Sequence, residues 1–246
     1  MPVQEANLAN SSGSRESPLL TRWPNGAARA LIAFAPALIL VGLAVVQAND
    51  AVQVWQQYTT DPSWVVASEL ARSVLYASFV LGGAVALCAT RGPRARDGRG
   101  VVIAASLIAS FLMIGVTFLP AGPVLWSAST HIYQVGLLLT VFGAGLALAS
   151  LTSLKTNFSI VPEARTLVIT GPYRLLRHPI YLAELLMIVG VVVGQMHLAT
   201  LIGALSLVVL QAYRIQREED LLRRAFPEAF EEFASRTRFR LLPLLW

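Results

Sequence analysis

The chain has 246 residues, 55% of them hydrophobic and only 13% charged, with a mean hydropathy of +0.62. A soluble domain carries about 25% charged residues, so this composition excludes one. The net charge of +5 does not mark a nucleic-acid binder, because the arginines sit in short segments beside apolar runs. The lone cysteine, Cys88, lies in an apolar run, which leaves no internal disulfide and no cysteine-based zinc site. His131, His178 and His197 lack metal-ligand spacing, so no metal is expected.

Residues 1–27 open the chain as a polar tail rich in Ser and Asn, expected to be disordered and cytosolic. Residues 1–23 show no apolar stretch with a small-residue cleavage site, so no secretory signal is read there. A helix needs about 20 apolar residues to cross the bilayer core. Four runs meet this, over 28–47, 64–90, 101–119 and 132–154. A fifth, 180–195, is short. After a turn-like Met196-His197 it is followed by a sixth, 198–213, which runs on into charged sequence. These last two read as a tight helical hairpin. The spans are helical because lone strands leave backbone groups unsatisfied in lipid.

The arginines set the orientation. Arg15, Arg22 and Arg29 precede or open the first span, four arginines lie in 91–99, and Lys155, Arg165, Arg174 and Arg177 fall between the fourth and fifth spans. Arg214, Arg217, Arg223, Arg224, Arg236, Arg238 and Arg240 follow the sixth, whereas the loops 48–63 and 120–131 contain no Lys or Arg. Six spans with both termini in the cytosol place every basic residue except Arg72 on the same side, as the positive-inside rule requires. Trp55, Tyr58, Trp64 and Trp126 then lie near the outer boundary, where amphipathic rings settle. The expected fold is all-α: a polytopic integral membrane helical bundle of about six spans with a C-terminal helical hairpin.

Ionisable residues inside spans are costly and are candidates for function. Glu69 and Arg72, three apart on one helical face, read first as a structural ion pair near a water-filled edge. Glu184 has no obvious partner on its own helix and follows a dense polar segment, Thr170-Gly171-Pro172-Tyr173-Arg174-Leu175-Leu176-Arg177-His178-Pro179-Ile180-Tyr181. Gly171-Pro172 marks a turn, Pro179 suits the first helical turn, and His178 then stands at the cap, with Tyr181 and Glu184 on one face. A helix start of this kind welcomes an anionic group, although Arg174, Arg177 and Tyr181 would also serve as plain interfacial anchors. At the inner end of the sixth span Gln211, Arg214 and Glu218 share a face. Beyond Phe226-Pro227, Phe230 and Phe233 make the aromatic stripe of a short amphipathic helix.

Together, Gly171-x-Tyr173-x-x-x-Arg177-His178-Pro179-x-Tyr181, a helical hairpin and Arg214-x-x-x-Glu218-Glu219 resemble the isoprenylcysteine carboxyl methyltransferase and phospholipid methyltransferase-like family of integral membrane methyltransferases. The resemblance covers roughly 155–243; Phe226-Pro227 stands where Phe-Gly is usual, and the first three spans carry no family motif. It implies an S-adenosylmethionine-dependent methyltransferase whose cofactor lies in a cytosol-facing pocket between the loop before the fifth helix and the base of the sixth. It implies that Arg165, Thr166, Leu167, Val168, Gly171, Tyr173, His178, Pro179, Ile180, Tyr181 and Glu218 bind the cofactor. By the same resemblance Arg214 faces the acceptor; Glu184, an ionisable group inside a span, is a second substrate-side candidate on its own chemistry. The catalytic candidates are Arg214, Glu218 and His178. The chemistry agrees: an acid suits the cofactor's ammonium, helix-end amides suit its carboxylate, and tyrosines suit adenine or sulfonium.

The expected partners are the lipid bilayer and a lipophilic or small membrane-permeant acceptor (a prenylated-cysteine-like carboxylate, a phospholipid amine or a small thiol), without nucleic acid. The chain divides into a tail (1–27), a four-helix transmembrane region (28–154) and a cofactor-binding region (155–246). Two other readings stand beside this one. Sterol and steroid reductases, which use NADPH, share an Arg-His-Pro-x-Tyr-x-x-Glu pattern that Glu184 fits; the other reading is a non-enzymatic membrane protein.

Overall fold

The computed structural model describes residues 27–90, 93–118 and 122–241, so the expected tail lies almost wholly outside the described residues. Seven α-helices are described: α1 (Ala27–Thr60), α2 (Trp64–Ala89), α3 (Gly100–Phe118), α4 (Thr130–Leu154), α5 (Pro179–Gly194), α6 (Leu198–Ala225) and α7 (Pro227–Arg236). Phe34–Thr60, Trp64–Ala89, Thr130–Asn157 and Leu198–Ala225 are long and apolar enough to cross a membrane; Gly100–Leu112 and Pro179–Gly194 are shorter apolar helices. At 16 residues, α5 is about 24 Å long, short of a hydrocarbon core of about 30 Å. Large apolar side chains such as Leu38, Val45, Val85, Phe142 and Val209 face outward around the bundle, as lipid-facing side chains do.

Several expectations change in detail. The loop expected at 48–63 is helix as far as Thr60, because residues 48–60 hold no Gly or Pro before Asp61-Pro62. The residue before a proline is forced out of the helical region, and Ser63 then starts α2 by accepting a hydrogen bond from the Val66 amide at 3.3 Å. The turn expected at Met196-His197 is a short strand. Two antiparallel ladders tie the loops together and depart from a purely helical fold: β1 (Ala95–Arg96) pairs with β3 (Glu163–Ala164), and β2 (Val124–Ser127) with β4 (Gln195–His197). The first joins the α2–α3 loop to the segment after α4. The second joins the α3–α4 loop to the α5–α6 connection.

Small residues bring α4 and α5 together. A Cβ on Gly143 would sit 2.8 Å from Met187 Cγ and 2.9 Å from the Ala183 carbonyl, and one on Gly136 2.5 Å from the Gly190 carbonyl. Membrane helices associate by such close packing, since lipid gives little hydrophobic drive between them. Ala109, Ile188 and Leu207 join α3, α5 and α6, while Ala37, Leu87 and Ile160 join α1, α2 and the segment after α4. Leu182, Ile215 and Leu241 pin the C-terminal tail to α5 and α6. These contacts fix the start of α5 beside the foot of α6.

Candidate active site

The loop leading into α5 is built on Gly171. Its φ is +58°, and a Cβ there would collide with Ser153 Oγ, so only glycine fits. The turn drives Tyr173 inward, where burial, with Glu218 nearby, holds its phenol well above the usual range and therefore neutral. Residues 237–240 run alongside this loop. The Arg177 amide donates to the Phe239 carbonyl and the His178 amide to the Arg240 carbonyl, each at 3.0 Å, and Arg177 Nη2 donates to the Arg238 carbonyl at 3.0 Å.

Glu219 fastens the loop, the tail and α6 to each other. Its carboxylate, 2% exposed, accepts from Arg177 Nη1 at 2.8 Å and from Arg240 Nε and Nη2 at 3.0 and 2.9 Å. His178 Nε2 lies 3.3 Å from the same carboxylate. Four contacts from three partners leave Glu219 no capacity for a ligand.

Its neighbour Glu218 is placed differently. It is 31% exposed, accepts from Tyr181 Oη at 2.8 Å, and lies 3.8 Å from His178 Nδ1. The His178 ring stacks on Tyr181, centroids 5.5 Å apart and nearly parallel. Arg214 lies over the other part of this cluster, its guanidinium carbon 4.7 Å from the Tyr181 centroid. Its Nη1 donates to Gln211 Oε1 at 3.2 Å and its Nη2 to the Ile160 carbonyl at 3.1 Å, while Gln211 Nε2 donates to Glu184. Glu184 Oε2 is 3.9 Å from Arg214 Nη1.

These groups surround an open cleft with about 90 Å³ of enclosed space. Tyr173, His178, Ile180, Tyr181, Glu184, Arg214 and Glu218 all line it. Other residues singled out in the sequence lie elsewhere. Arg165 pairs with Glu163 at 2.6 Å and lines a neighbouring cavity; Thr166 is exposed, and Leu167 and Val168 are half-buried beyond the lining. Gly171 shapes the turn and Pro179 is buried beneath the site, neither of them on the cleft wall. Glu69 accepts from Tyr133 Oη of α4 at 2.8 Å, and Arg72 donates to Ser73, so these two are held outside the cleft.

Sequence reasoning missed the role of Glu219 and the wall formed by Asn157, Phe158, Ser159, Ile160, Val161 and Glu163. Extended segments of this kind carry no periodicity to read. Glu219 stands inside the Arg214-x-x-x-Glu218-Glu219 motif, but only its three partners separate it from Glu218.

The phospholipid methyltransferase family model matches residues 131–229. This part of the chain belongs to the phospholipid methyltransferase family. The family region holds every cleft residue named above on α5 and α6, whereas α1, α2, α3 and the tail that clamps Arg177 lie outside it. The chain thus joins four helices long and apolar enough to cross a bilayer to a region of a methyltransferase family. It is similar to cobalt-zinc-cadmium resistance protein CzcN of Cupriavidus metallidurans, 40% identical over 103 residues. It is also similar to nickel-cobalt-cadmium resistance protein NccN of Alcaligenes xylosoxydans xylosoxydans, 37% identical over 103 residues. Each match takes in 41% of this chain and 47% of the relative, so the chain spans about half the length of the relatives it matches.

Proposed function

We propose that the cleft binds S-adenosylmethionine and directs its methyl group to a lipophilic or membrane-permeant acceptor. The observation that carries this reading is the meeting of Tyr173, His178, Tyr181 and Glu218 around one cleft in a methyltransferase-family region. The donor set fits the cofactor. Glu218 offers an accessible carboxylate for the ammonium, and the first turn of α5 offers the amides of Ile180 and Tyr181, which have no intrahelical acceptor, for the carboxylate. Tyr181 offers an aromatic face. When bound, the cofactor supplies an electrophilic methyl group on sulfonium.

The chain's part is to position and to exclude water. Oriented reactants in a closed site gain most of what methyl transfer needs, and Tyr173, Ile180 and Tyr181 supply apolar walls. His178 holds Glu218 and the loop in register. Arg214, fixed by Gln211 and the Ile160 carbonyl, sets the acceptor side. If the acceptor nucleophile carries a proton, Glu184, bordering the cleft, accepts it. The proposal includes six membrane-embedded helices, both termini in the cytosol and a cytosol-facing cleft. The arginine distribution and the gathering of the 91–99 loop, the 163–178 segment and the tail at the same end support it. From the relatives' names the proposal takes metal stress as a setting in which to look for the acceptor.

Calorimetry in detergent with S-adenosylhomocysteine tests the reading. The wild type binds, and Glu218→Gln weakens binding about 10–100-fold, the equivalent of a charge-assisted hydrogen bond of about 1.5–3 kcal/mol. Absence of binding to the wild type, or equal affinity in the variant, overturns the assignment.

A further inference from the structure

The short turn Gly171–Arg174 and the residues after it carry side chains that point two ways. Tyr173 is buried in the cleft wall, and Leu176 packs toward Leu182, Ile215 and Leu241. Arg174 is exposed, and Leu175, at 75%, is the most exposed large apolar side chain among the described residues. Ile169, just before the turn, is exposed as well. Gly171 lies against Ser153, which sets the turn at the C-terminal end of α4, where Lys155 is exposed. The tail brings in exposed Arg238: Thr237 Oγ1 donates to the Arg174 carbonyl at 3.4 Å, and Arg177 Nη2 to the Arg238 carbonyl. Among the described residues, none of the cations Lys155, Arg174 and Arg238 is in an ion pair.

An outward stripe of α4 leads to this turn. Val135, Leu138 and Phe142 are exposed, and the same face continues through Ala149 and Thr152 to the helix end beside Lys155. Exposed apolar side chains at the foot of such a stripe, ringed by unpaired cations, match the boundary between hydrocarbon and anionic headgroups. Apolar groups sink there while ammonium and guanidinium groups reach the phosphates. The sequence left Arg174, Arg177 and Tyr181 open as interfacial anchors. The fold divides them: Arg177 is turned onto Glu219 and Tyr181 onto Glu218 in the cleft, which leaves Arg174 facing out.

We propose that Ile169, Arg174 and Leu175, with Lys155 and Arg238, dock on the anionic surface of the bilayer and thereby hold the loop that carries Tyr173 and His178. The second half of this rests on the reading of the cleft as the cofactor site. Arg174 directly follows Tyr173, and Leu175 stands three residues before His178, so a force on the anchor is felt at the cleft wall. Glu219 and the tail hold the inner side of the loop. The leaflet holds its outer side, so the loop is ordered before the cofactor arrives and less freedom is lost on binding.

The test uses the full chain in nanodiscs of phosphatidylcholine alone or of phosphatidylcholine and phosphatidylglycerol at about 3:1. S-Adenosylhomocysteine is the probe, because it has no net charge and a surface potential does not concentrate it. The wild type is expected to bind it about 3–10-fold more tightly in the anionic discs, and the gain is expected to shrink in about 0.5 M salt, which screens the surface. The triple variant Lys155→Gln, Arg174→Gln, Arg238→Gln is expected to bind within 2-fold in the two discs. A wild-type ratio within 2-fold, or a full gain kept by the triple variant, overturns the coupling. A nitroxide on Leu175→Cys, in a Cys88→Ser background, reads the docking itself. In the anionic discs it is expected to collide with oxygen more than with a water-soluble nickel chelate. Preference for the chelate, or shielding from both as in a protein contact, overturns the anchor. Absence of S-adenosylhomocysteine binding in either disc sinks the cleft reading and with it the coupling, while the nitroxide still decides the anchor, so the failures are distinguishable.

Discussion

At the residue scale, two adjacent glutamates take different parts because a helix turns them about 100° apart. Glu218 faces the cleft and Glu219 faces the loop and tail, where it neutralises Arg177 and Arg240. Removing one partner from a buried charge network leaves the others uncompensated, at a cost of about 3–5 kcal/mol. Glu219→Ala is therefore expected to lower the melting temperature in detergent by several degrees and to weaken S-adenosylhomocysteine binding through the misplaced loop. Glu218→Gln is expected to weaken binding with little change in melting; equal melting of the two variants would contradict the division of roles. Asp97 gives a pH signature. Hydrogen bonds from the Arg99 side chain hold its carboxyl below the usual range. A depressed carboxylate contributes stability above its unfolded value of about 4 and loses it as pH falls through the folded value. Thermal stability is expected to drop below about pH 4, and Asp97→Asn to drop less steeply; parallel curves would count against the pair. The gathering of these residues is only partly legible in the sequence. Tyr173, His178, Tyr181, Arg214 and Glu218 were readable because helix spacing and a motif marked them, but partners 42 residues apart, such as Arg177 and Glu219, are visible only once the chain is folded.

At the element scale, the site depends on how α5 sits on α4. Gly143 leaves room for no side chain, so Gly143→Leu must push α5 away. Overpacking costs about 1–3 kcal/mol, and the same displacement carries His178 and Tyr181 off Glu218. Lower melting together with weakened S-adenosylhomocysteine binding is expected; an unaffected affinity would show that α5 does not position the cleft. Apolar runs located these helices well, since length and composition set them. Their ends were less legible. α1 runs to Thr60 because only Asp61-Pro62 stops it, and Met196-His197 is drawn into a strand by pairing with Val124 and Trp126, a partner distant in sequence. The resemblance puts Arg165 at the cofactor, but its ion pair with Glu163 sets it at the neighbouring cavity.

At the scale of the whole molecule, the loops holding the arginines meet at the end of the bundle that carries the cleft. β1 pairs with β3 there, and the C-terminal tail crosses the loop before α5. The proposed topology predicts that cysteines introduced at Arg94 and Arg236, in a Cys88→Ser background, react with an impermeant maleimide only from the cytosolic face. Labelling of either from outside would break it. The methyl-donor cleft itself is tested most directly by a structure of the protein with S-adenosylhomocysteine. The nucleotide is expected between Tyr173, His178 and Tyr181, with its ammonium within hydrogen-bond distance of Glu218. A ligand bound away from these four residues, or with its ammonium turned from Glu218, would contradict the account.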